Sequence, residues 1–170
     1  MIKKLAAALA GLALAIPAQA RIEDGTKPLL ELMEQSGITV AFNTSDCKSG
    51  EYMGVYRHRG FQRAMILCYG ATVDAEDHMV VRHETIHAIQ HCVNAARGTS
   101  VLTPIINDDD ELMKFVYEHL SKEAVEEIKR VYPMEQWRIE FEAFAGMHAY
   151  TAEELEAHFR TACLFPETEL

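Results

Sequence analysis

His83-Glu84-Thr85-Ile86-His87 is the stretch on which the reading of this 170-residue chain turns. On a helix, residues four apart share one face, so the two imidazoles meet a single ion. Glu84, one step round the helix, reaches a water beside that ion. Two neutral imidazoles leave a zinc ion electron-poor, which brings the pKa of its water toward ~7. A carboxylate in that place takes the proton and later returns it to a leaving group. Five residues therefore offer two metal ligands and a general base.

Outward from the motif, the pattern predicts a helix starting between Asp74 and Asp77 and running to about Arg97, with Gly98 as its stop. Ile86, Ile89 and Val93 are spaced for the core, while His83, His87 and Asn94 share another side. Upstream, Thr26-Lys27-Pro28 opens a helix whose apolar face is Leu29, Leu30, Leu32 and Met33, ended by Gly37. Three β-rich runs follow, at Ile38 to Phe42, about Tyr52 to Arg57 and Gln62 to Tyr69. Downstream, a loop from Thr99 to Ile106 precedes helices. The first is capped at Asn107, the second spans Lys122 to Val131, and the third runs from Met134 to about Tyr150. Thr151-Ala152-Glu153-Glu154 is a capping box for the last, which reaches about Thr161. The expected class is α+β. A small three-stranded antiparallel sheet packs on the motif helix, and a helical C-terminal lobe follows.

The ends and the composition set the setting. Met1 to Lys4 is basic, Leu5 to Ile16 is apolar, and Ala18-Gln19-Ala20 has the small-x-small form of a signal peptidase site. Residues 1–20 are thus read as a signal peptide and residues 21–170 as one domain, periplasmic or secreted, with no stable membrane association after cleavage. The net charge of −10 argues against nucleic acid as a partner. Cys47, Cys68, Cys92 and Cys163 are the only cysteines, and an even count in an exported chain reads as two disulfides. Three pairings exist. Cys47–Cys68, closing a hairpin, with Cys92–Cys163, tying the motif helix to the C-terminal segment, is the favoured one.

A catalytic zinc site needs a third protein ligand and one position left for water. His91 lies one turn beyond His87, too far along the same helix to complete a tetrahedron with His83. The long zincin pattern that asks for Gly and then His or Asp finds Gln90 and Val93 instead. The acidic run Asp108 to Glu111 is accounted for as helix-start chemistry. Glu140 and Glu142 are different, because they sit in the largely apolar helix Trp137 to Ala145, where Ala143 and Gly146 allow close approach to a neighbour. A buried carboxylate is costly unless paired or metal-bound, so either acid invites a metal.

The motif helix, followed some 50 residues later by Glu140-Phe141-Glu142-Ala143, resembles the gluzincins, closest to the minimal ones and to the CAAX-prenyl-endopeptidase-type and related periplasmic peptidases. The resemblance implies a minimal zincin fold in which Glu140, the first Glu of a Glu-x-x-Ala-Asp pattern, binds zinc beside His83 and His87. The family's Asp falls on Phe144, so Glu142 is left either as a substitute outer carboxylate or as the ligand itself. It also implies that the strand Met65 to Tyr69 borders the cleft and takes substrate as an added strand. His148 and Tyr150, at the end of the Glu140 helix, are candidates to stabilise the oxyanion.

These features lead to the expectation of an exported zinc peptidase acting on peptide or protein, with Glu84 as general base. Two other readings remain: a non-catalytic zinc-binding interaction protein on the same fold, and a zinc amidase acting on a non-peptide amide. A structural site has no use for Glu84, and no sugar or D-amino-acid signature accompanies the motif.

Overall fold

The computed structural model describes residues 26–50, 52–59, 62–68 and 75–164. The expected signal segment, residues 1–20, and the expected strand end at Tyr69 lie outside them. Helix α1, Thr26–Gln35, buries Leu29, Leu32 and Met33 at helical spacing. Strands β1 (Ile38–Phe42), β2 (Gly54–Arg59) and β3 (Gln62–Leu67) precede the long helix α2, Ala75–Ala96. Then come α3 (Asp109–His119), α4 (Lys122–Val131), α5 (Trp137–Ala149) and α6 (Ala152–Phe159). The α+β class and the helical C-terminal part are as the sequence leads one to expect.

Local chemistry explains most boundaries. Asp108, not Asn107, caps α3, its carboxylate accepting from the amides of Asp110 and Glu111. Ser121 caps α4, and Thr151 with Glu154 forms the expected capping box of α6. After Pro133 a short 3₁₀ turn, Met134–Gln136, delays α5 to Trp137.

The sheet departs from the expected antiparallel arrangement. Its order is β1-β3-β2, with β3 parallel to β1 and antiparallel to β2. Phe42 and Gly54 both stand level with Leu67, so the chain leaving β1 must arc across the end of β3 to reach β2. The Cys47–Cys68 disulfide therefore pins this arc to the end of the central strand instead of closing a hairpin. A second correction follows. Both edges of β3 are paired, so it has no free backbone groups with which to take an added strand.

Helix α2 is the axis of the molecule. Every residue from His83 to Gln90 is buried, because β2 covers one side and α5 and α6 cover others. Gly146 makes the crossing with α5 close, since a Cβ there would stand 2.6 Å from Ile86 Cδ1. The far end of α2 is tied to the turn Arg160–Leu164 by the Cys92–Cys163 disulfide, which closes a separation of 71 residues. Losing so long a cross-link releases much chain entropy in the unfolded state. The double variant Cys92→Ser/Cys163→Ser should lose about 2–5 kcal/mol, read as a lowered urea midpoint. The two bridges suit an oxidising compartment, and among the described residues no helix is long and apolar enough to cross a membrane.

Candidate metal centre

The i, i+4 spacing on α2 sets the rings of His83 and His87 edge to face, 4.7 Å between centroids, with their Nε2 atoms 3.0 Å apart. Glu140, one turn into α5, brings Oε2 to 3.4 Å from His83 Nε2 and 3.7 Å from His87 Nε2. All three residues are buried, and among the described residues they form the only group of three or more His, Cys, Asp or Glu with ligand atoms near enough to share an ion.

The triangle fits a metal. Tetrahedral ligands 2.0–2.1 Å from an ion stand about 3.3–3.4 Å apart, and the observed edges of 3.0, 3.4 and 3.7 Å bracket that figure. Glu140 Oε2 and Glu84 Oε1 are buried with no hydrogen-bond partner among the described residues, which is costly for carboxylate oxygens unless a cation serves them. Burial raises the Glu140 pKa, but the imidazoles of His87 and His83 close beside it outweigh that and hold the carboxyl well below its usual range. Burial lowers His83. It also opposes the charge on His87, where the attraction of Glu140 prevails and the imidazole is raised.

Glu84 is fixed separately. Its Oε2 accepts the backbone N–H of Tyr56 in β2 at 2.6 Å, across 28 residues of chain. That N–H points away from β3, whereas Met53 bonds toward it by accepting from the amide of Cys68. By the alternation of an antiparallel ladder, the amides and carbonyls of Gly54, Tyr56 and His58 face outward. β2 is thus the outer strand beside Glu84, and the Met65–Leu67 part of the strand expected to border a cleft lies in the middle of the sheet. Gly54 is needed beside it: a Cβ there would overlap Val80 Cγ1 and come within 3.2 Å of Glu84 Oε1.

The remaining predicted site residues go elsewhere. Glu142 is buried, but both its oxygens turn to Gln90 and to the amides of Ile105 and Ile106, so it does not join the triangle. Tyr150 lines a separate cavity of about 280 Å³ with Ile86, Ile89, Phe115 and Glu142, stacked with Phe115 and edge-on to His158. His148 is exposed on the last turn of α5. Phe144, where the resembled pattern has Asp, packs edge-on against the His83 ring at 4.5 Å, holding by contact what a carboxylate would hold by hydrogen bond. His91 stacks on His58 at 4.2 Å and pairs through Nδ1 with the Tyr56 hydroxyl, away from the triangle.

Sequence reasoning missed Gln90. Its Oε1 lies 2.8 Å from His87 Nδ1, and the signal was present as a polar residue three positions after a ligand, on the same face of a buried helix. Comparisons with protein-family models, with curated proteins and with solved structures find no match to this chain.

Proposed function

We propose that the protein is an exported zinc-dependent peptidase of minimal gluzincin type, with His83, His87 and Glu140 as ligands and Glu84 as general base. The observation that carries the reading is the buried triangle of two imidazole nitrogens and one carboxylate oxygen, with the motif glutamate anchored beside it. Two imidazoles, one carboxylate and an open position suit zinc over harder or softer ions. Bound there, zinc supplies Lewis acidity toward a carbonyl oxygen and a water.

The chain's own residues do the rest. Tyr56 N–H holds one oxygen of Glu84, leaving Oε1 to take a proton from the attacking water and return it to the departing amine. Of the outward backbone groups of β2, the Tyr56 N–H is taken by Glu84, and those of His58, which is half-buried, are the ones placed to hydrogen-bond an extended peptide. Phe144 and Gln90 restrain the two imidazoles.

Purified residues 21–170 should carry about one zinc per chain and cleave an unstructured protein such as casein. Full zinc retention with no cleavage of any peptide library would remove the peptidase assignment and leave a zinc-binding scaffold. Gly54→Ala should displace Glu84 and lower kcat about 10–100-fold at unchanged zinc content, since small misplacements of a reacting group are costly. Metal analysis and steady-state rates on the same preparation check it.

A further inference from the structure

We propose that Gln90 and Glu142 are positioning residues that fix the tautomer and orientation of His87 and couple them to the backbone of Ile105 and Ile106. This rests on the metal-site reading and deepens it.

The argument starts at Glu142, which is 4% exposed. Its Oε2 accepts from Gln90 Nε2 and from the Ile105 amide, each at 2.8 Å, and its Oε1 accepts from the Ile106 amide at 2.8 Å. Three N–H groups thus converge on its two oxygens, which accept from all of them. Gln90, fully buried, must then present its amino group to Glu142, and it gives a second hydrogen bond to the Ile139 carbonyl at 3.2 Å. The reverse orientation would set the amide oxygen against two acceptors. With the amide so fixed, Gln90 Oε1 faces His87 Nδ1 at 2.8 Å and can only accept. His87 therefore carries its proton on Nδ1 and keeps the Nε2 lone pair for the triangle, the state in which an imidazole binds a metal.

The same carboxylate holds the segment after α2. Asn94, one turn beyond Gln90, donates to the Thr103 carbonyl at 2.9 Å and accepts from the Thr103 hydroxyl at 2.6 Å. Residues 103–106 are thus strapped across α2 and α5 by Asn94 and Glu142. An ion that draws on His87 Nε2 polarises Nδ1–H toward Gln90, and through it the Glu142 clamp. Coupling of this kind is reciprocal.

The test is zinc affinity of the metal-free protein by chelator competition at 20 °C, with circular dichroism confirming that each variant is folded. Gln90→Leu and Glu142→Gln should each weaken binding about 10–100-fold. In the unmutated protein, zinc should slow hydrogen exchange at the Ile105 and Ile106 amides. A folded Gln90→Leu variant that binds zinc as tightly as the parent overturns the proposal, as does exchange at those amides that zinc leaves unchanged. Failure of the parent to take up any zinc is a different result, and it removes the metal-site reading together with this one.

Discussion

Replacing Glu84 by Gln is expected to lower peptide cleavage by about 10²–10⁴-fold while leaving zinc content unchanged. The amide has nearly the shape of the carboxylate, so its oxygen still accepts the Tyr56 N–H that holds Glu84 in place at 2.6 Å. It cannot take a proton from water. The metal triangle does not include Glu84, so the ion has no reason to leave. A scaffold that merely keeps a structural zinc predicts no functional change on the same substitution. Rates on an unstructured substrate, measured beside zinc content, separate the two outcomes in one preparation.

Glu140→Gln should have the complementary effect, lowering zinc affinity by about 10²–10⁴-fold and activity with it. Glu140 supplies the only negative charge in the triangle, and it is 4% exposed. Removing a charged partner from a buried cluster costs about 3–5 kcal/mol, which is this range of affinity. The effect should exceed that of Glu142→Gln, whose carboxylate turns away from the triangle and acts through Gln90. Chelator competition on the two variants in parallel reads the difference. Equal losses, or a larger one for Glu142→Gln, would reverse the assignment of ligand and support.

The contrast between Glu140 and Glu142 marks how far the sequence reaches. Two acids on an apolar helix signal a buried, cation-demanding site. Their two-residue spacing turns them about 200° apart, so at most one faces His83 and His87. Which one depends on the rotation of α5 against α2, where Gly146 meets Ile86; the sequence marks Gly146 for close approach but does not name its partner. The extent of α2, the capping box at Thr151 and the cysteine pairing were legible because each follows from nearby residues or from a small number of alternatives. The sheet was less so. Three strands in succession suggest hairpins, whereas β1 pairs in parallel with β3 by way of a disulfide-pinned arc. That topology moved the outer strand from β3 to β2, where Tyr56 meets Glu84. The His58–His91 pair and the bond from Gln90 to Glu142 escaped notice for a similar reason, since the partners come from distant elements.

The central claim is that His83, His87 and Glu140 together hold one ion. X-ray absorption at the zinc edge of the zinc-loaded protein tests it most directly. The account predicts one zinc per chain with two imidazoles and oxygen ligands at about 2.0–2.1 Å. No zinc retained after loading, or a zinc shell without imidazole, would contradict it.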